Sequence, residues 1–184
     1  MKYLLLINFI LLSSLSFSQT KKKNVNVGIK NFWYNGNYDN ATGYGLGVFV
    51  NHQMTIFNSP RWWLVNELGY ERILSESENN QPLFWYQDAG RYSVTIARDL
   101  IYKNNCLTFG LGLSFMYGYQ LLGGVTVNGE FTSLSYSDDL SFGPAISLTY
   151  RNSDISDRFG LRIGHEIYGS NSSVTGFSLL YRIK

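Results

Sequence analysis

The stretch from Leu107 to Gln120 alternates without interruption. Its odd positions are Leu107, Phe109, Leu111, Leu113, Phe115, Tyr117 and Tyr119; its even positions are Thr108, Gly110, Gly112, Ser114, Met116, Gly118 and Gln120. One face is wholly apolar or aromatic, and the other is small or polar except at Met116. Successive side chains point to opposite faces only in a strand, so no helix accommodates this run.

Seven more segments show the same period. Val25, Val27, Ile29 and Trp33 oppose Asn26, Gly28 and Lys30, and Tyr44, Leu46, Val48 and Val50 oppose Gly45, Gly47, Phe49 and Asn51. Trp62, Leu64, Leu68 and Tyr70 oppose Glu67, Gly69 and Glu71; Tyr92, Val94, Ile96 and Leu100 oppose Arg91, Ser93, Thr95, Ala97 and Asp99. Leu140, Phe142, Ile146, Leu148 and Tyr150 oppose Ser141, Gly143, Ala145, Ser147, Thr149 and Arg151. Phe159, Leu161, Ile163 and Ile167 oppose Gly160, Arg162, Gly164 and Glu166, and Phe177, Leu179, Tyr181 and Ile183 oppose Ser178, Leu180, Arg182 and Lys184. Short turn-like links at Asn58–Arg61, Lys103–Asn105 and Asn152–Asp157 alternate with longer ones near 34–42, 74–90, 121–139 and 169–175. Eight strands with this alternation predict an all-β fold, an eight-stranded antiparallel up-and-down transmembrane β-barrel. The 121–139 link is expected to extend partly as a hairpin.

Met1–Ser18 has the form of a cleaved signal peptide: Lys2, an apolar run from Leu4 to Leu12 broken only by Asn8, then serines before a cleavage point at Ser18–Gln19. Residues 19–184 then form one barrel domain. The Leu4–Phe17 run is too short to span a bilayer as a helix, and no later stretch is long enough. Aromatics make up 16% of the chain and charged residues 15%, which excludes a disordered chain. One Cys excludes an internal disulfide framework, and a formal charge of +2 without a basic block in the body of the chain is a poor footprint for nucleic acid.

Alternation alone does not say which face points outward, because a soluble lipocalin-like barrel binding an apolar molecule shares the period. Three features favour lipid outside. The polar face is Gly, Ser and Thr with isolated charges of both signs. Aromatics gather at strand ends, with Trp33, Tyr44, Tyr70, Tyr92, Tyr117, Tyr119 and Phe177 at one level and Trp62, Tyr102, Tyr150, Phe159 and Tyr181 at the other. Leu, Val, Ile and Phe fill the band between. Parity also puts Asn31, His52, Asn66, Arg98 and His165 on the lipid face, and Pro144 within strand six predicts a bulge. Eight strands leave a lumen that side chains fill. Lys30, Glu67, Glu71, Arg91, Asp99, Arg151, Arg162, Glu166, Arg182 and Lys184 point into it and are expected to pair, with Glu71 and Arg91 the foremost direct pair.

No catalytic, cofactor-binding or metal-binding set is predicted. Gly43, Gly45 and Gly47 sit in a strand without a following helix, so they do not form a phosphate fingerprint. Asn40-Ala41-Thr42 and Asn171-Ser172-Ser173 match glycosylation sequons but read as loop composition. Cys106 reads as an inert small residue, and His52 and His165 are too few and too separate for a metal. Gly164-His165-Glu166 followed by Ser170-Asn171 resembles the His-x-Ser-Asn motif of the lipid A deacylases, but Ile167 stands where that family needs serine. A lipid A-modifying hydrolase is therefore a second alternative, and the chain is expected not to be an enzyme.

Asn66-Glu67-Leu68-Gly69-Tyr70, Phe142-Gly143-Pro144-Ala145-Ile146 and Gly176-Phe177-Ser178-Leu179-Leu180-Tyr181 together resemble the small OmpA/OmpX-like outer-membrane β-barrel family, including its PorT-like group, from about Asn24 to Lys184. The terminal Ile183-Lys184 departs from that family's aromatic ending. The resemblance implies a Gram-negative outer-membrane location, contact with outer-membrane lipid and lipopolysaccharide, barrel-assembly machinery as a partner during insertion, and structural, adhesive or secretion-linked roles. Leu83, Phe84, Trp85 and Tyr86 form the most exposed apolar cluster, read either as a loop surface for a partner or as girdle residues at the mouth of strand four.

Overall fold

A computed structural model describes residues 23–35, 42–76, 84–127, 130–168 and 172–183. The expected leader, Leu83, Lys184, and Asn40, Ser170 and Asn171 lie outside them. Eight strands follow one another: β1 (Lys23–Asn35), β2 (Thr42–Thr55), β3 (Trp62–Glu76), β4 (Phe84–Tyr102), β5 (Asn105–Val127), β6 (Glu130–Asn152), β7 (Ser156–Tyr168) and β8 (Ser172–Ile183). Each pairs antiparallel with its sequence neighbours, and β1 pairs with β8 to close the barrel. Closure removes every sheet edge.

The strands run beyond the segments read from alternation. Much of the expected long link between β3 and β4 is paired strand, with Leu74 opposite Tyr86 and Glu76 opposite Phe84. Phe84, Trp85 and Tyr86 therefore belong to β4 and not to a loop. The β5–β6 ribbon likewise continues to Val127 opposite Glu130, with register shifts between Leu121 and Gly123 and between Val125 and Thr126. The expected hairpin is present.

Pro144 is a correction. Its pairing with Leu113 passes without a shift, and parity continues through Gly143, Pro144 and Ala145, so no bulge forms there. The β6–β7 ladder instead begins at Ala145, beside the proline. A residue lacking an N–H is accommodated where pairing on one side of its strand ceases.

The three short links gather at one end, the turn end, together with Lys23 and Ile183. Phe57, Asn58 and Lys103 adopt positive φ there, as tight turns demand. The Asn152 side-chain oxygen accepts the Asp154 and Ile155 amides at 2.8 and 3.1 Å, and Asn104 donates to Asp154 at 2.8 Å, tying two turns together.

The orientation of the sheet is the one expected. Leu111, Leu113 and Ile163 are 56, 51 and 41% exposed, whereas Glu67 and Arg91 are each 2% exposed. A belt of exposed Leu, Val, Ile and Phe encircles the barrel. From Leu107 to Tyr117 it covers ten residue steps; at about 3.4 Å each and a tilt of about 40°, this is about 25 Å high, the height of an outer-membrane hydrocarbon band. A lipocalin-like barrel has the reverse arrangement, apolar within.

Candidate functional site: the filled lumen

The lumen has three tiers. Furthest from the turn end, Phe32, Tyr34, Ala89, Met116, Tyr168 and Val174 form an apolar plug. These large inward residues come from β1, β4, β5, β7 and β8. A β-carbon at Gly45 would collide with the Phe32 ring, so the glycine makes the room that this ring occupies.

Beneath it lies a charge cluster of three carboxylates and three cations. The Arg162 guanidinium grips Glu67 with two bonds, 2.5 and 3.0 Å, and stacks 4.4 Å over the Phe49 ring. Arg91 reaches all three carboxylates: Glu67, Glu166 at 2.9 Å, and Glu71 at 2.6 Å, the last an ion pair without hydrogen-bond alignment. Lys30 Nζ lies 2.9 Å from Glu71 and 3.3 Å from Glu166. Tyr168 donates to Glu166 at 2.7 Å and lies 2.8 Å from Ser114 Oγ. Asn51 adds a bond to Glu67 at 3.3 Å. The cluster joins β1, β3, β4 and β7 across the bore, and its formal charges cancel. Removing ions from water is costly, and this density of opposite charges and hydrogen bonds offsets that cost. The void beside it is only about 30 Å³.

The expected Glu71–Arg91 pair is present, but Glu67 of the same hairpin and Glu166 of β7, which the hairpin does not contain, hold the same arginine. The third tier opens at the turn end. Asn26 donates to Asn51 at 2.7 Å, Trp63 Nε1 donates to Asp99 at 2.7 Å, and Thr108 donates to Asp99 at 2.6 Å. Arg151 and Arg182 line this tier as well.

On the outer face three of the five exceptions, His165, Asn66 and Arg98, find partners on adjacent strands. His165 Nδ1 lies 2.7 Å from Thr175 Oγ1, and Asn66 accepts from Tyr92 OH at 3.0 Å. Arg98 stacks 5.3 Å over the Trp62 ring near the turn end. The hydroxyl beside His165 thus belongs to β8. Cys106 is free and half-buried, 3.8 Å from Thr108 Oγ1, with no histidine bonded to it. Among the described residues no His, Cys, Asp and Glu gather into a metal-binding group.

No protein-family model matches the chain. No curated protein matches it either. Among solved structures it is similar to Neisserial surface protein A, with a TM-score of 0.56 and 12% identity over 90% of this chain and 100% of that one. It also aligns with the attachment invasion locus protein Ail of Yersinia pestis, at a TM-score of 0.49 and 12% identity over 90% and 100% of the two chains. The outer membrane enzyme PagL aligns at 0.47 and 12% over 86% and 99%. At such identity the likeness is one of fold: the chain is a closed eight-stranded antiparallel barrel of the outer-membrane type.

Proposed function

We propose that this chain is an integral barrel of the Gram-negative outer membrane, exported by its leader, whose role is structural or surface-interacting and not catalytic. The observation that carries the reading is the exposed apolar belt wrapped around a charge-filled bore. A water-soluble monomer rarely exposes contiguous apolar surface on this scale, and a closed barrel is one of only two backbones that can cross a bilayer. Acyl chains are then the solvent of the belt, and Trp33, Tyr44, Tyr70, Tyr117 and Phe177 face one interface while Tyr102, Tyr150 and Phe159 face the other, all of them exposed. With the turn end in the periplasm, the start of β1 and the end of β8 lie there too. Lipopolysaccharide would cover the belt on the outer leaflet, and barrel-assembly machinery would serve insertion. Membership of the OmpA/OmpX-like family, and of its PorT-like group, is part of the same proposal.

The filled lumen argues against a pore, and the belt argues against a soluble carrier of apolar molecules. The test is fractionation of cells expressing the chain, followed by gel migration with and without boiling. Extraction from outer membranes by detergent alone and a faster unboiled band are expected. A soluble monomer recovered without detergent would refute the proposal.

A further inference from the structure

The third tier of the lumen carries charge that the wall does not balance. It is a chamber of about 430 Å³, open at the turn end, lined among others by Asn24, Gln53, Trp63, Asp99, Arg151 and Arg182. Lys103 and Asp157 also line it, so that with Asp99, Arg151 and Arg182 the wall holds three cations and two carboxylates. Asp99 is engaged by Trp63 and Thr108, and among the described residues no carboxylate lies within ion-pair distance of Arg151 or Arg182. Arg151 is only 8% exposed, and its bond to Asn26 Oδ1 is long, at 3.4 Å. The Nε atoms of both arginines are buried without a partner. The two guanidiniums repel each other, and Asp99, which attracts Arg151, lies beyond ion-pair distance of it. Lys30, Arg91 and Arg162 of the charge cluster each meet a carboxylate. A buried cation facing a second, half-buried one across a chamber is unfavourable unless an anion joins them.

We infer that this chamber binds a small phosphate-class oxyanion between Arg151 and Arg182. A guanidinium presents a planar fork of donors that suits the paired oxygens of such an ion, and the Asn and Gln amides of the wall supply further donors. The chamber has room for an ion and several waters, each taking about 30 Å³. This goes beyond the membrane proposal and does not depend on it; if that proposal holds, the site faces the periplasm.

The experiment titrates inorganic phosphate into the refolded barrel in nonionic detergent at constant ionic strength, followed by calorimetry. Saturable one-to-one binding is expected. R182Q weakens it at least tenfold, while R158Q, which alters an exposed arginine bonded to Tyr181, leaves it unchanged. Sulfate competes and acetate competes poorly. Folding of each variant is scored by its unboiled gel band. Should R182Q fail to fold, R151K keeps the charge but loses the fork, and is expected to weaken binding similarly. The wild-type chain gives an independent reading, because Cys106 lines the same chamber: saturating phosphate slows its alkylation by iodoacetamide at least threefold. Absence of saturable heat, equal affinity in R182Q, or alkylation indifferent to phosphate overturns the inference.

Discussion

Arg91 holds the barrel's interior together, and R91M isolates its contribution. Methionine keeps roughly the length of the side chain and removes the charge. Glu67 then still has both Arg162 bonds and Asn51. Glu166 keeps Lys30 and Tyr168. Glu71 keeps only Lys30, and its Oε2 already lacks a partner. The cluster passes from neutral to one surplus negative charge, concentrated on the carboxylate with least support. Breaking a buried ion cluster in this way costs about 3–5 kcal/mol. With an m-value of about 2 kcal/mol/M, the urea midpoint falls by about 1.5–2.5 M.

The assay is reversible urea unfolding from lipid vesicles, read by tryptophan fluorescence and by the unboiled gel band. The decisive arm is the double variant. R91M/E71Q restores neutrality by removing the stranded carboxylate, so it should recover about 2 kcal/mol of the loss, a coupling far outside additivity. If R91M costs under about 1 kcal/mol, or if the double variant is no more stable than R91M, the charges are not acting as a balanced cluster and the account of the lumen is wrong.

Other expectations follow from the belt and the wall. L111R places a charge at mid-height of the belt and should cost about 2–4 kcal/mol, whereas R98L, near the turn end, should change stability by less than about 1 kcal/mol; equal effects in vesicle unfolding would contradict a lipid-facing belt. A β-carbon at Gly112 would collide with the Val94 carbonyl and lie 2.6 Å from Thr95 Cα, so G112V should cost at least about 1–3 kcal/mol, while G90A, whose nearest neighbour is 3.8 Å away, stays within about 0.5 kcal/mol; the same unfolding curves decide this. H165A removes one hydrogen bond to Thr175 and should cost about 1 kcal/mol, leaving lipid A acylation in expressing cells unchanged by mass spectrometry; an altered acylation pattern would revive the hydrolase alternative.

The barrel was legible in the sequence because period-2 alternation is a local signal. Leu107–Gln120 alone reports the strand and its two faces. The inward list from β1 stopped at Lys30 and passed over Phe32 and Tyr34, because a run ending in Asn31-Phe32-Trp33-Tyr34 is apolar on both faces and its parity is hidden. Trp63 and Tyr168 were hidden in the same way, each beside an outward apolar neighbour. The Glu71–Arg91 pair was within reach because both flank one hairpin. The bonds from Arg91 to Glu166 and from Arg162 to Glu67 join walls that come together only when β8 closes on β1, and no spacing in the chain reports that. Pro144 misled for a related reason. Its missing N–H can be met by inserting a residue or by ending a ladder on one side, and here the β6–β7 ladder ends at Ala145–Glu166 although β7 runs on to Tyr168.

The position of the charge cluster constrains where this protein can act. It fills the bore beneath an apolar plug, and a solute moving along the axis would have to separate Arg91 from three carboxylates at once. Each such pair in a poorly solvated interior is held by more than a surface ion pair would be, which supports the proposed reading of the bore as a strut. The belt offers little recognition chemistry either, since His165, Asn66 and Arg98 are each engaged by a neighbouring strand. What remains are the two ends. At the turn end, the guanidiniums of Arg151 and Arg182, which meet no carboxylate among the described residues, are the chemical feature that neither the strut nor the belt explains, which is why binding there is the sharper test of what the barrel does beyond being a barrel.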